Sequence, residues 1–341
     1  MTKKIILFFL IILIVSAGGL SFYIYKSLET TTRSFDGKTE ITVHKGESLY
    51  SILDRLQEVG LIHDKRIYKV YSRFIHSFTV KSGFYSLSPG LSGMEILKVL
   101  EEGKQELIKI TIPEGLTARE ISLILEEKGI VSIQDFLSSI SSRELLDDLN
   151  IPADTAEGYL FPDTYFFQKN FLPDKVVEYM VKTYFENLED IFPFYKDLSD
   201  SKLQEKLIIA SIVEKEYRVE IEAPLIASVF YNRLKIGMPL QSCATVIYVI
   251  TEELGKSHPE RVLFRDLEIP SEFNTYVNSS LPPAPISNPG KTALKAAFDP
   301  AQTDFLFFVV KDSLAGTHNF TSTLADHNSA RHSYIQGFRS K

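Results

Sequence analysis

The feature that most constrains this chain is a run of 21 residues, Ile5 to Tyr25, that carries no charge. A helix needs about 20 predominantly apolar residues to cross a bilayer, so the run predicts a single transmembrane segment. Lys3 and Lys4 precede it. By the positive-inside rule they hold the N-terminus in the cytoplasm and send everything after Lys26 across the membrane. Tyr23 and Tyr25 suit the far interface. A cleaved signal peptide competes with this anchor, because Val15-Ser16-Ala17 is an acceptable small-residue cleavage site, but the apolar stretch continues well past it. In either case the body of the chain is exported.

Residues 29–38 are polar and Thr-rich and contain Gly37, the composition of a tether. An internal repeat follows at an offset of 69. Ile41-Thr-Val-His-Lys-Gly46 and Ile110-Thr-Ile-Pro-Glu-Gly115 each read as a strand ending in a glycine turn and leading into a helix. The offset pairs Ile52 with Ile121, Leu56 with Leu125, and Gly60 with Gly129, the two glycines serving as helix C-caps. Two unrelated strand–turn–helix units would give the same pattern. A strand over Lys81–Tyr85 and a helix over Ser92–Glu102, closed by Gly103, complete a small module near residue 104. Its Gly-Glu-Ser turn and Leu-rich helix resemble the opening half of a LysM glycan-binding module. The expected fold is α/β (α+β): anchor 1–28, linker 29–38, LysM-like module 39–106 and a mixed α/β domain 107–341.

Lys and Arg number 37 against 44 Asp and Glu, a net charge of −7 that argues against nucleic acid as a partner. Cys243 is the single cysteine, so neither an internal disulfide nor a Cys-rich zinc site can form. His318 and His327 are scattered, with no third ligand at metal-binding spacing. Neither metal nor cofactor is expected.

Beyond Asn150 aromatic loops alternate with apolar helices. Glu157-Gly-Tyr-Leu-Phe-Pro-Asp-Thr-Tyr165 is too rich in turn residues for a helix. Aromatics beside carboxylates can stack on sugar rings, but for the Tyr and Phe residues taken singly a buried strand–turn–strand corner is the better reading. Ser201-Lys-Leu-Gln204 reads as a capping box opening a helix from Leu203 to Tyr217, whose middle, Leu207–Val213, is nearly all apolar. Glu214 lies four residues after Ala210 and seven after Leu207, on a face otherwise apolar. Desolvation there would raise its pKa and keep it protonated, as a general acid requires. Glu216 points about 200° away round the helix. On spacing alone, a solvated helix end with local charge pairs is the more economical reading.

Pro224–Leu234 is an amphipathic helix carrying Asn232 and Arg233, and Gln241, Ser242 and Thr245 open another. Leu281 to Gly290 holds four prolines and is a stiff extended loop. Asn288 is placed to cap a helix over Lys291–Phe298 with Pro289 at its first position. Asp304–Val310 reads as a buried strand.

These motifs, taken in order, resemble the endolytic murein transglycosylases, the MltG/YceG-like family. The resemblance is carried by Ala210-Ser-Ile-Val-Glu-Lys-Glu216, Val229-Phe-Tyr-Asn-Arg-Leu234, Leu240-Gln-Ser242, Thr245-Val-Ile-Tyr248, Asn274-Thr-Tyr276, Leu281-Pro-Pro283 and Ile286-Ser-Asn-Pro-Gly290. The Glu157–Tyr165 and His318-Asn-Phe segments and the N-terminal anchor extend it over nearly the whole chain. Three departures stand out: Cys243-Ala244 where the family usually has Asp-Pro, Ser280 where a glycine precedes Leu-Pro-Pro, and Ala284 where another glycine is common.

The resemblance implies a LysM-like module followed by an α/β catalytic domain, with Glu214 as the catalytic residue. It implies a single-pass protein of the cell (inner) membrane, with its catalytic domain outside the cytoplasm. The implied reaction breaks the MurNAc–GlcNAc bond of nascent peptidoglycan strands and leaves 1,6-anhydro-MurNAc ends. Glu157, Tyr159, Asn232, Arg233, Gln241, Thr245, Asn274, Tyr276, Asn288, His318 and Asn319 become expected sugar-binding residues, and peptidoglycan synthases expected partners. Two other readings compete. One is a hydrolase using Glu157 or Glu216 as a second carboxylate, and the other is a non-catalytic scaffold that binds glycan or recruits wall synthases.

Overall fold

The computed structural model describes residues 2–30, 39–44, 46–104 and 107–339. The chain divides into two compact units, Met1–Ile108 and Lys109–Lys341.

The first unit begins with helix α1, Thr2–Glu29. Among the described residues no helix is long and apolar enough to cross a membrane. Part of the expected span, including Ile5 to Leu7, lies outside the residues whose side chains are described, as does most of the expected tether. Strand β1 (Thr39–Val43), helices α2 (Leu49–Glu58) and α3 (Lys65–Phe74), strand β2 (Gly83–Leu87) and helix α4 (Gly93–Glu102) follow. β1 and β2 pair antiparallel with Ile41 opposite Tyr85. β2 starts two residues later than its sequence pattern suggests, so that Phe84, Tyr85 and Leu87 are buried. Ser92 caps α4 in a reciprocal box with Glu95, and Gly103 ends it in the left-handed conformation. The core gathers Ile41, Val43, Ile52, Leu53, Leu56 and Leu97, with Leu28 from the end of α1.

The second unit comprises β3 (Ile108–Thr111), α5 (Ala118–Glu127), α6 (Ile133–Ser139), α7 (Arg143–Asp148), β4 (Thr164–Phe167), α8 (Pro173–Ile191) and α9 (Asp200–Glu216). It continues with α10 (Ala223–Lys235), α11 (Cys243–Tyr248), α12 (Lys291–Phe298), β5 (Phe307–Asp312), β6 (Thr317–Thr321) and α13 (Leu324–Arg339). β3 pairs with β4, and β5 with β6, as separate two-stranded sheets. α9 packs on α12, α10 and α11 at the centre, with Leu207 to Val213 all buried.

The repeat is a repeat of structure. α5 begins and ends at the same 69-residue offset from α2, with N-caps Ser48 and Thr117 in register. The turn glycines Gly46 and Gly115 share positive φ (79° and 75°), as do Gly60 and Gly129 (77° and 67°).

Three local expectations need correction. The N-cap of α9 is Ser199, whose side chain accepts from the Lys202 N–H. Gln204, expected to reach back to the cap, instead accepts the Tyr159 hydroxyl at 2.9 Å. The strand expected at Asp304–Val310 is displaced to Phe307–Asp312 and is mostly half-buried or exposed, because β6 is its one sheet neighbour. Asn288 caps nothing at α12, whose N-cap is Gly290 with no side-chain bond.

Candidate active site

α9 delivers Glu214 from the end of its apolar core. The carboxyl is half-buried, and its surroundings come from its own helix end and two distant stretches of chain. Oε2 accepts the backbone N–H of Gly290 at 2.9 Å, and Oε1 faces the Tyr217 hydroxyl at 3.5 Å. Gly115 closes over the side chain: a Cβ at that position would lie 3.3 Å from Glu214 Cγ. Burial, helped by the charge of Glu114, pushes the Glu214 carboxyl up to about 7, against the opposing pull of the Gly290 N–H. Lys215 donates its ammonium to the Gly115 carbonyl at 2.9 Å. It also lines a cavity of about 260 Å³ with Thr117, Arg119, Tyr248, Glu252 and Ile286.

Glu157 and Asn288 hold this arrangement from beneath. Both carboxylate oxygens of Glu157 accept the N–H of Ala118, at 3.1 and 2.9 Å, where α5 begins. Asn288 Nδ2 donates to Glu157 Oε1 at 2.7 Å and to the Leu116 carbonyl at 3.0 Å, while its Oδ1 accepts from Gly158 and Leu160. Its backbone pairs with Gly115 and Leu116 as well. Three loops are thereby tied at one buried asparagine, and two of them touch Glu214. Burial pushes the Glu157 carboxyl up to about 8.

The remaining expected sugar contacts separate into other groups. Tyr159 is wholly buried, edge-on to Tyr184 with ring centroids 5.1 Å apart, so it packs the core and offers no face to a sugar. Asn232 holds the carbonyls of Thr303 and Phe305. Arg233 donates to the carbonyls of Leu306 and Leu240 under the Phe307 ring. Asn274 and Thr245 are fully buried: Asn274 ties Leu267 and Ile269, and Thr245 bonds Ser242 and Thr275. These five are braces, because their polar groups are spent on backbone or on neighbouring side chains. His318 rests on Glu222 at 2.8 Å, and Asn319 sits half-buried in β6 opposite Val309. Gln241 is exposed in a left-handed conformation (φ 52°), and Tyr276 meets Cys243 at 3.1 Å between hydroxyl and thiol.

Neither second carboxylate named from the sequence reaches Glu214. Glu157 is locked inside, and Glu216 accepts the Ser242 hydroxyl on another face of α9. The carboxylate whose charge bears on Glu214 is Glu114, which the sequence reading passed over. Its signal lay in the repeat, where Glu114 takes the place held by Lys45 in the first copy. Among the described residues no three His, Cys, Asp or Glu side chains form a metal site.

A carboxyl that keeps its proton to near-neutral pH, with an N–H donor and a second carboxylate converging on it, is the arrangement of a general-acid enzyme. The YceG-like family model matches residues 41–333, and the chain belongs to that family. A protein of Bacillus subtilis (strain 168) named endolytic murein transglycosylase is 31% identical over 342 residues, covering 95% of this chain and 92% of the relative. One of the same name from Streptococcus pneumoniae serotype 2 (strain D39 / NCTC 7466) is 30% identical over 96% of this chain, which spans only 64% of that longer relative. The crystal structure of a yceG-like protein from Listeria monocytogenes matches with a TM-score of 0.57 at 31% identity, covering 86% of this chain and 98% of that one.

Proposed function

We propose that this chain is a membrane-anchored endolytic murein transglycosylase with Glu214 as its single acid and base. The observation that carries the reading is the Glu214 carboxyl itself, half-buried at the end of an apolar helix and held by the Gly290 N–H, where burial pushes its pKa up to about 7. Protonated Glu214 gives its hydrogen to the glycosidic oxygen between MurNAc and GlcNAc as the bond to the anomeric carbon breaks. The resulting carboxylate is received by the Gly290 N–H and Tyr217 hydroxyl. It then removes the proton of the MurNAc 6-hydroxyl, whose oxygen closes on the same anomeric carbon. Glu214 ends protonated, the leaving sugar carries the first proton, and no water is consumed. Because the nucleophile belongs to the substrate, one acid–base carboxyl suffices where ordinary glycosidases use two.

A glycan-binding role for the first unit rests on the LysM-like Gly46-Glu47-Ser48 turn, which leads from β1 into α2. The anchor is supported by the uncharged run Ile5–Tyr25, whose 21 residues would extend about 32 Å as a helix, against a hydrocarbon core of about 30 Å. With Lys3 and Lys4 before that run, the positive-inside rule supports a body outside the cytoplasm.

The test is the mass of the glycan ends after digestion of nascent strands. Ends lighter by one water than hydrolytic ones support the reading, and reducing MurNAc ends would replace it with a hydrolase. Glu214→Gln should lower the cleavage rate by at least about 100-fold. Full activity in that variant would remove Glu214 from the chemistry.

A further inference from the structure

Gly290 lets the Glu114 side chain rest against its backbone. Its φ of −82° is open to any residue. A Cβ there, however, would lie 1.9 Å from Glu114 Oε1 and 2.3 Å from Glu114 Cδ, closer than any real contact. The Glu114 carboxylate therefore lies directly on the Gly290 backbone, and the N–H of that same residue donates to Glu214 Oε2. Two carboxyls from positions 100 residues apart thus meet across one bare peptide unit.

Nothing structural accounts for Glu114 being there. Among the described residues no hydrogen bond or ion pair holds its carboxylate, and the residue is exposed. The nearby Lys215 ammonium donates to the Gly115 carbonyl, and its charge acts on Glu214 in the opposite sense to Glu114. An anion left unpaired beside a half-buried acid raises the cost of ionising that acid. Its charge also acts on Tyr217, the other side chain touching Glu214.

We infer that Glu114 is a positioning residue of this active site, an anion set beside Glu214 across the side-chain-free Gly290 peptide. The inference builds on the proposed role of Glu214. The groups that face Glu214 are Glu114 from the turn after β3, Lys215 and Tyr217 from the end of α9, and the Gly290 N–H from the start of α12. Glu114 is the only anion among these four.

The experiment titrates the Glu214 carboxyl by ¹³C NMR in the detergent-solubilised full chain, its signal assigned by loss in Glu214→Gln, alongside the pH profile of strand cleavage. Glu114→Gln keeps the shape and removes the charge, and it should move the Glu214 titration down by on the order of 1 pH unit. The cleavage rate should then fall more steeply as pH rises, reaching about a tenfold loss at pH 8. Glu114→Asp should restore part of the shift. An unmoved titration point, or a loss equal at every pH, would overturn the inference and leave Glu114 a packing residue. The titration does not depend on the products formed, so a failure to find anhydro ends would count against the proposed reaction and not against this coupling.

Discussion

Replacing Asn288 with alanine removes four hydrogen bonds from a place wholly closed to solvent. The Gly158 and Leu160 N–H groups lose their acceptor, and the Leu116 carbonyl and Glu157 carboxyl lose a donor. A buried polar group left without a partner costs about 1–3 kcal/mol. Neighbouring backbone bonds from residue 288 to Gly115 and Leu116 survive the change and limit the collapse. We therefore expect a loss on the order of 4 kcal/mol, a large part of the 5–15 kcal/mol that holds a typical domain together. Because the same asparagine ties the Gly115 turn to the Ile286–Gly290 loop, cleavage should fall with it even where the protein remains folded. Asn288→Asp sharpens the test. It keeps both acceptors but sets an oxygen against Glu157 and the Leu116 carbonyl, so it should be at least as destabilising at pH 8 and partly relieved at pH 5, where the introduced carboxyl can donate. The assay is urea unfolding of the full chain in detergent, at both pH values. A loss under about 1 kcal/mol for the alanine variant, or an aspartate variant indifferent to pH, would refute the reasoning.

Other outcomes follow from the same geometry. With the Glu214 carboxyl pushed up to about 7 by burial and proposed as the acid, the cleavage rate should hold below that pH and decline above it; a rate that keeps rising through pH 8 would contradict the assignment. Glu157, raised to about 8, binds a proton in the folded state that the unfolded chain releases near 4.5. Stability should therefore fall between pH 4.5 and 8. Glu157→Gln should flatten the part of that decline above pH 7, as read from urea midpoints. Gly115→Ala places a side chain at φ 75° and 3.3 Å from Glu214 Cγ. It should cost about 1–2 kcal/mol and lower cleavage at least tenfold, whereas wild-type activity would show that the turn can give way.

Much of the fold was legible because it is written at short range. Glycine turns, serine and threonine caps and apolar spacing marked both copies of the strand–turn–helix unit, and the apolar stretch Leu207–Val213 announced a buried helix ending in a glutamate. The aromatic segment after Glu157 was legible as a buried corner, and Tyr159 lies in the core accordingly. Less legible were the polar motif residues. Asn232, Arg233, Thr245 and Asn274 look in sequence like ligands for a polar substrate, yet each is consumed by a carbonyl or hydroxyl inside the protein. A polar side chain has the same local signature whether its partner is a sugar or a loop.

The sequence alone determined the bounds of the two repeated helices, that residue 214 would ride on the end of a buried one, and that the chain opens with an uncharged run long enough for a bilayer. These depend on neighbours within a few residues. Only the tertiary structure decided which acid stands next to Glu214, that this acid rests on the bare backbone of Gly290, and that Asn288 braces loops 128 to 172 residues away. Such pairings arise when distant segments return to the same place, and the return path is set by the packing of the whole unit, which no local pattern encodes.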